Sequence, residues 1–411
     1  MSFGTPTLRD IFSEKKLSGA TLSLVDIDRE NLDRMYELAS VMNKASGQRI
    51  KLEKTTERGD VLSGADFVIN SLAIERCALW KQDFEVPKKY GIRHCLGENG
   101  GPGALFFTMR TLPVIMDIIR DMEELCPDAW FMNFSNPESR IVLAVGLYSK
   151  IKCIGLCHGI FMARHDVAKM LGRDESGVDV FGAGMNHFQW LTSIRDKFTG
   201  EDLYPELRER EKVYDASFMP YSRKMFRWFG LYPTCSDDHL GEYQAYGYEA
   251  GEEGYDFEAD ESDRAGMKRE IADIVEGRRD IAKWIRPSGE KAVEVIVSVY
   301  FNENRYFPSA IVLNNGAIPG LPDDVAVEAP VIANGGGVHK IMVEGLPDGV
   351  IGLLNQQVSP QRLSVRAAVM GSKELALQAL LCDPVINSTS AAVSIAEELY
   401  AINRPYIRRC V

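Results

Sequence analysis

A thiol and an imidazole stand on two separate segments of this chain, from which they could reach one metal ion. Cys157 follows the apolar residues 154–156, and His187 stands within residues 184–188. The apolar run predicts a short buried strand, so the thiol would lie at a strand's C-terminal end, where open α/β sheets build ligand sites. The alternative interpretations are an inert buried cysteine and a hydrogen-bonded core histidine. A closed structural zinc site lacks support, because the sequence contains no Cys-x-x-Cys pair.

A second group of reactive side chains lies further along the chain. Asp237, Asp238, His239 and Tyr243 form the densest cluster of residues that could act as an acid or a base. The alternative is a solvated loop. A serine hydrolase of the nucleophile-elbow class lacks support, because no Gly-x-Ser-x-Gly motif is present.

Polar side chains also follow two predicted strands. Asp26 lies near the end of the strand predicted over residues 20–28, where a nucleotide-binding sheet places the acid that binds the ribose hydroxyls. Asn133 and Asn136 lie at the end of the strand predicted over residues 129–137, and amides suit ribose or sugar hydroxyls. A surface acid and ordinary turn-forming amides are the alternatives.

Strands and helices alternate through the first half of the chain. Strands are predicted over residues 20–28, 50–55, 65–71 and 129–137 and before Cys157, with helices over residues 7–16, 29–46, 58–62, 104–126 and 141–148. The glycine-rich segment 96–103 precedes one of these helices and is either an anion-binding turn or a tight bend. The alternation predicts an α/β fold with a Rossmann-like, doubly wound, mostly parallel sheet.

The composition of the chain changes near residue 170. Helices are predicted over residues 165–171, 201–210, 218–229, 264–284, 290–301, 362–381 and 389–402, strands over 179–182 and 325–331, and an exposed acidic loop over 247–260. We therefore expect a Rossmann-like domain over residues 1–170 and a second α+β domain over residues 171–411, with the site between them.

The overall composition excludes several classes of protein. The 411 residues carry a formal charge of −12 with no Lys/Arg-rich run, which disfavours nucleic acid and anionic membranes as partners. No apolar run reaches the roughly 18 residues that a membrane span needs, and the N-terminus lacks a secretory signal. The eight cysteines are scattered, which favours free thiols in a reducing compartment, so a cytoplasmic enzyme is expected.

Seven segments, taken in order over nearly the whole chain, resemble glycoside hydrolase family 4. They are residues 25–28, 64–69, 100–103 with 110–113, 133–137, 155–158, 186–188 and 315–319. The resemblance implies an NAD-binding first domain, a catalytic and oligomerisation domain after it, and a homodimer or homotetramer. It implies NAD and Mn²⁺ as cofactors for an elimination mechanism: oxidation at the sugar's C3, removal of the acidified C2 proton, loss of the glycosidic oxygen, water addition and return of the hydride.

The matching motifs also imply a role for each candidate residue. Cys157 and His187 correspond to the metal ligands, and Asn136, His158 and Asn186 to residues that bind the sugar. Asn133 and Asp26 would contact the cofactor. The base falls within the motif at residues 236–239, with Asp237 as first choice, Asp238 as second and Tyr243 next.

The residues that follow Cys157 indicate which substrate the resemblance implies. Cys157-His158-Gly159 is similar to the Cys-His-Gly type of the family's α-uronidases, which implies α-linked hexuronides, by an α-galacturonidase or α-glucuronidase activity. An arginine would then face the substrate carboxylate, and the candidates are Arg110, Arg286, Arg305 and Arg366. The alternatives are the same chemistry on neutral α-glucosides or α-galactosides, an NAD-dependent dehydrogenase, and an inactive truncated homologue.

One departure from the family's pattern concerns the N-terminus. The family opens with a strand and a glycine-rich turn that holds the dinucleotide pyrophosphate, whereas this sequence starts with Met1-Ser2-Phe3-Gly4. The strand that would precede it is normally central, so we expect its neighbours to show exposed edges. Three explanations stay open. The given start lies downstream of the true one, another chain or a rearrangement takes the place of the strand, or the protein binds NAD weakly.

Overall fold

The computed structural model describes residues 4–407, and the side chain of Lys283 is outside the description. The α-helices in this part of the chain are α1 Gly4–Ser13, α2 Arg29–Ser46, α3 Gly59–Leu62, α4 Arg76–Lys89, α5 Gly101–Leu125, α6 Glu138–Tyr148, α7 Gly159–Leu171, α8 Tyr204–Val213, α9 Pro220–Phe229, α10 Asp237–Gly241, α11 Phe257–Val275, α12 Ala292–Tyr300, α13 Asp348–Gln356, α14 Val358–Met370, α15 Lys373–Cys382 and α16 Thr389–Asn403. The strands are β1 Thr21–Val25, β2 Lys51–Thr55, β3 Phe67–Asn70, β4 Trp130–Asn133, β5 Lys152–Gly155, β6 Val178–Met185, β7 Phe188–Asp196, β8 Arg305–Leu313, β9 Ala326–Asn334 and β10 Gly337–Lys340.

The strands form two sheets. A small parallel sheet contains β1 and β2, and an eight-stranded sheet has the order β3-β4-β5-β8-β9-β6-β7, with β10 paired to β9. The β3-β4-β5 portion is parallel, whereas β8, β9, β6 and β7 pair antiparallel. The α/β class with a Rossmann-like sheet and an α+β second part is confirmed, and the two parts share one continuous sheet through the β5–β8 pairing.

The two-stranded sheet stands apart from the larger one. Within residues 4–407 no strand lies between β1 and β3, so both are edge strands. Both ends of β1 are exposed, and Val25 keeps 43% of its surface in contact with solvent. These are the exposed strand edges that the sequence predicts.

Apolar side chains cover both faces of the large sheet. Phe131 and Met132 are neighbours on β4 and point to opposite faces, because side chains alternate along a strand. Phe131 packs in the cluster formed mainly by α5, α6, α14, α15 and α16, and Met132 packs in a second cluster that includes α12 and α13. The sheet is therefore the middle layer of three.

Helix α5 is the central helix of the first of these clusters. It alone, among the helices of residues 4–407, is long and apolar enough to cross a membrane, and 83% of its most apolar window is buried inside the protein. Its length is thus explained by packing within this fold.

The sequence analysis was wrong about some elements. Strands β7 and β8 and helix α4 were not predicted. Strand β7 was missed because its first residues are buried on both faces and show no alternation. The predicted charged helix 264–284 is α11, which begins and ends earlier. The predicted exposed loop 247–260 is partly anchored, because the ring of Tyr255 stacks on Trp80 at 4.4 Å.

A buried ion pair joins two helices of the core. Arg110 on α5 lies 2.6 Å from Asp83 on α4, and both side chains are fully buried. Arg110 also donates to Asn403 Oδ1 at 3.3 Å, which ties α16 to the pair. Burial raises the pKa of Asp83 to about 6, although Arg110 acts in the opposite direction. The charge of the Asp83 carboxylate is thus compensated by the guanidinium of Arg110.

Replacing Arg110 by Met should lower the free energy of unfolding by about 3–5 kcal/mol, because Asp83 is left buried without its counter-ion. The loss should be largest above pH 6, where the carboxylate is ionised, and smaller near its ordinary pKa of 3.8, where a proton can replace the arginine. Urea unfolding at several pH values measures this. The matched Arg110→Met/Asp83→Leu variant should recover much of the loss, and equal losses in both variants would contradict the explanation.

Candidate active site

Three parallel strands end side by side. Asn70, Asn133 and Gly155 are in register as the last residues of β3, β4 and β5. Asn70 Nδ2 donates to Asn133 Oδ1 at 2.8 Å, and Asn133 Nδ2 donates to the carbonyl of Ser135 at 2.9 Å. Cys157 follows Gly155 by two residues. The parallel sheet therefore places Asn133 and Cys157 at one edge, while the amide of Asn133 is already engaged by neighbouring groups.

The turn between β6 and β7 brings a second segment to this edge. Asn186 and His187 form the turn, and Asn186 Nδ2 donates to Glu328 on β9 at 3.1 Å. The backbone of His187 has φ 60, a left-handed conformation that few residues other than glycine adopt. Tyr243 donates its hydroxyl to the carbonyl of Asn186 at 2.8 Å, so the turn is held from both sides.

The loop before α10 brings a third segment. Cys235, His187 and His239 offer ligand atoms that all lie within 4.8 Å of one another. The rings of His187 and His239 have centroids 4.2 Å apart. These three residues are called the His-Cys-His cluster below. They come from two distant parts of the sequence, and their donor types fit a divalent transition metal.

Each imidazole of this cluster is held by a polar neighbour. Asn99 Nδ2 contacts His187 Nδ1 at 3.1 Å, and Glu242 Oε1 contacts His239 Nδ1 at 2.9 Å. His239 can donate its Nδ1 proton to this carboxylate and leave Nε2 for a metal, as metal-binding histidines do. The Asn99 amide nitrogen can only donate, so it makes His187 Nδ1 the acceptor. Burial lowers the pKa of His239, but the hydrogen bond and charge of Glu242 outweigh it and raise that pKa to about 9.

The glycine-rich segment does bind an anion, and that anion is part of the protein. Glu242 Oε2 accepts backbone N–H groups from Glu98 at 2.6 Å, Asn99 at 2.5 Å and Gly100 at 3.1 Å. Gly100 allows the close approach, since a Cβ on it would overlap the Glu242 carbonyl and lie 2.9 Å from the Glu242 Cβ.

Buried carboxyl groups surround Cys157. Glu138 Oε1 accepts the backbone N–H of Leu156 at 2.6 Å, and Glu328 accepts the hydroxyl of Ser309 at 2.6 Å. Burial, followed by the charges of Glu328 and Glu138, raises the pKa of Cys157 well above its usual range. The thiol is therefore protonated until a cation compensates the negative surroundings.

Cys157 lies beside the His-Cys-His cluster. A Cβ placed on Gly159 would lie 3.9 Å from the Cys235 Cβ and 4.0 Å from the Cys157 Sγ, so the two cysteines flank this glycine. His158 begins α7 and pairs with Glu290 at 2.8 Å. The hydrogen bond that the His158 ring donates to Glu290 is the main cause of the raised pKa of His158.

The two aspartates predicted as bases have different surroundings. Asp237 accepts the backbone N–H groups of Tyr221 and Ser222, both at 2.8 Å, and thus binds the N-terminus of α9. Asp238 accepts the hydroxyl of Ser236, and its charge contributes to the raised pKa of Cys235. Of these two aspartates, Asp238 therefore lies near the His-Cys-His cluster.

The remaining predicted residues are dispersed. Asp26 is exposed at the end of β1 and accepts the backbone N–H of Asp28 at 2.9 Å. Asn136 is half-buried in the turn that leads to α6.

The four arginines expected to bind a substrate carboxylate have different surroundings. Arg110 is committed to the core, Arg286 and Arg366 are exposed, and Arg305 pairs with Glu303. Arg140, which the sequence analysis missed, is buried on α6 and lines a cavity with Asn99, Tyr243 and others. Its place four residues after Asn136, one turn into the helix that follows the strand end, was the available signal.

Comparisons with known proteins identify the family. The model for "Family 4 glycosyl hydrolase" matches residues 2–173, and that for its C-terminal domain matches residues 182–386. An alpha-glucosidase of Erwinia rhapontici is 32% identical over 98% of this chain and 96% of its own length. The chain belongs to glycoside hydrolase family 4.

Two solved structures show the same fold. The glucosidase lplD of Bacillus subtilis has a TM-score of 0.86 and 25% identity, over 96% of this chain and 98% of that one. A 6-phospho-alpha-glucosidase from gut microorganisms, solved in complex with NAD and Mn²⁺, has a TM-score of 0.82 and 21% identity, over 99% of this chain and 98% of that one.

Replacing Gly100 by Ala should push Glu242 away from the loop and lower the free energy of unfolding by roughly 1–3 kcal/mol. Urea unfolding gives the value, and Mn²⁺ titration should show weaker binding, because His239 loses its fixed orientation. Gly59→Ala is the matched control, since a Cβ there meets nothing within 4 Å. Equal effects of the two substitutions would refute the role of the close approach.

Proposed function

We propose that this chain is an NAD- and Mn²⁺-dependent α-glycosidase that cleaves α-linked hexuronides. The observation that carries the proposal is that the ligand atoms of His187, Cys235 and His239 lie within 4.8 Å of one another, while Cys157 and Asp238 both interact electrostatically with Cys235. Thiol, imidazole and carboxylate at one place are what metal-assisted removal of a proton beside a carbonyl requires.

The residues around Cys157 fit a divalent cation. The His-Cys-His cluster supplies nitrogen and sulfur donors, and the buried carboxyl groups of Glu138 and Glu328 create a negative surrounding that a cation would neutralise. We propose Cys157 and His187 as ligands of Mn²⁺, as the family motif implies.

The described residues fit part of an NAD site. Asp26 is exposed at the end of β1, where its carboxylate can accept ribose hydroxyls. Asn133 lies at the end of β4 in the larger sheet. The strand and glycine-rich turn that would cradle the pyrophosphate are not among residues 4–407. We propose Asp26 and Asn133 as cofactor contacts.

When bound, NAD⁺ and the metal would supply hydride transfer at the sugar's C3 and polarisation of the oxygen there. We propose that Asp238, whose charge acts on Cys235, removes the C2 proton and that Asp237 holds the loop through the N-terminus of α9. Asn136, His158 and Asn186 are proposed to hold the sugar hydroxyls. Tyr243, hydrogen-bonded to the Asn186 carbonyl, is the next candidate for the base.

Arg140 supports the choice of a hexuronide. It is buried and donates to Thr108 Oγ1 at 3.4 Å, and the charges of Asp383, Tyr243 and Glu242 act on it. The cavity that it lines also contains Pro137 and Ser139, which directly follow Asn136. A guanidinium at this place can bind a substrate carboxylate through two parallel hydrogen bonds.

Neutral α-glucosides and α-galactosides are the second candidate substrates. The buried carboxyl groups of Glu138, Glu290 and Glu328 near Cys157 would repel a uronate. Similarity to an alpha-glucosidase also favours a neutral sugar. A homodimer or homotetramer and a cytoplasmic location stay predictions.

Release of p-nitrophenol from α-galacturonide, α-glucuronide, α-glucoside and α-galactoside should be fastest with a uronide and should need both NAD⁺ and Mn²⁺. In D₂O the product should carry deuterium at C2, with no net NADH, because the C2 proton is exchanged during elimination. Arg140→Gln should lower kcat/KM for the uronide by about 10- to 100-fold and leave a neutral glycoside nearly unchanged. Net NADH formation would favour a dehydrogenase instead.

Asp238→Asn should lower kcat by about 10²- to 10⁴-fold, because an amide cannot accept the C2 proton. Asp237→Asn should lower kcat by less than about tenfold, since an asparagine still accepts N–H groups at the start of a helix. A C2-deuterated substrate should show a primary isotope effect that identifies the affected step. If neither substitution slows turnover, the same measurement on Tyr243→Phe tests the next candidate.

A further inference from the structure

We propose that Cys235 is a thiolate ligand and His239 an imidazole ligand of the metal centre, in addition to the Cys157 and His187 that the family motif implies. The inference rests on the proposed function only in placing a divalent metal at this edge of the sheet. The carrying observation is the His-Cys-His cluster, whose three donor atoms lie mutually within 4.8 Å.

The three donors are held in place by other residues. Cys235 is buried, with 3% of its surface exposed, and His187 is buried as well. His187 is fixed through Asn99 and His239 through Glu242, each at Nδ1. A ring that donates its Nδ1 proton to a carboxylate, as His239 can to Glu242, presents Nε2 to a metal, which is typical of ligating histidines. A solvent-exposed group of the same residues would lack this preorganisation.

The backbone gives an independent indication. His187 has φ 60 and Cys235 has φ 71, so two of the three donors occupy the left-handed region, which is unfavourable for side chains with a Cβ. Such strain persists only where the surrounding structure enforces it, and it concentrates at functional sites. The strain of both residues serves to direct their side chains to one point.

Acidic side chains lie around the cluster. Glu242 and Glu98 are buried beside His239, and Asp238 lies on the same helix. Arg76 pairs with Glu98 at 3.1 Å. Glu242 contacts His239, so a divalent ion held by that ring would lie close to the same carboxylate.

A second thiolate and a second imidazole change the metal preference. Mn²⁺ favours oxygen donors, whereas thiolate and imidazole favour Zn²⁺ and Co²⁺. We expect the resting protein to bind Co²⁺ and Zn²⁺ more tightly than Mn²⁺. Sugar oxygens would then complete or exchange ligands when the substrate binds.

The test is titration of the full-length protein with Co²⁺ alone, without NAD or sugar. Thiolate-to-cobalt charge transfer absorbs in the near ultraviolet, and its intensity follows the number of thiolates. If both cysteines bind, Cys235→Ser and Cys157→Ser should each remove about half of this absorption. His239→Ala should weaken Co²⁺ binding by more than about tenfold. Cys382→Ser, which changes an exposed thiol, is the matched control and should change nothing.

Circular dichroism confirms that each variant is folded. Should Cys235→Ser not fold, X-ray absorption of the zinc-loaded wild-type protein decides the question, because it counts sulfur ligands at about 2.3 Å. Two sulfurs support the proposal, and so does loss of absorption in Cys235→Ser. Unchanged absorption in that variant, or a single sulfur that Cys157→Ser removes, overturns it.

These readouts are separate from the glycosidase activity. Absence of p-nitrophenol release together with a Cys235-dependent cobalt spectrum would refute the proposed function and leave the metal ligands in place. Glycosidase activity together with a cobalt spectrum that Cys235→Ser leaves unchanged would support the proposed function and refute Cys235 as a metal ligand.

Discussion

The carboxylate of Glu242 is the interaction on which the site depends most. One oxygen accepts three consecutive backbone N–H groups, and the other contacts His239. A buried carboxylate is costly unless such donors compensate it, so the loop and the imidazole are held as one unit. The loop in turn positions Asn99 against His187. Two histidines that are 52 residues apart in the sequence thereby share one anchor.

This arrangement explains why a negatively charged interior is tolerated. Glu138, Glu328 and Glu242 are all deeply buried near Cys157 and the His-Cys-His cluster. Burial raises the pKa of Glu138 well above its usual range and also raises those of Glu328 and Glu242, so each carboxyl is ionised only at a cost. A bound cation would favour the ionised carboxylates and thiolates, so metal binding and the ionisation of these buried groups stabilise one another.

The sequence predicted what depends on local pattern. The helix predicted over residues 29–46 coincides with α2, and the Asp28 side chain accepts backbone N–H groups at its N-terminus. Asn133 and Cys157 were each predicted near the C-terminal end of a strand. The strands β4 and β5 are parallel neighbours, so the two residues lie at the same edge of the sheet. Strand β7 was missed, since burial on both faces removes the alternation that marks a strand. The role of Glu242 on the glycine-rich loop depends on partners more than 140 residues away in the sequence and has no local signature. Arg140 has one only in its place after Asn136.

The continuous sheet gives the second part of the chain its role in the site. Because β8 and β9 pair onto β5, the turn at His187 and the acid Glu328 arrive at the edge where the parallel strands end. The small β1–β2 sheet carries Asp26 and makes no strand pairing with this assembly. The residues proposed for the metal and the sugar, together with Asn133, therefore stand on or beside one continuous sheet, whereas Asp26 follows a strand of the separate small sheet.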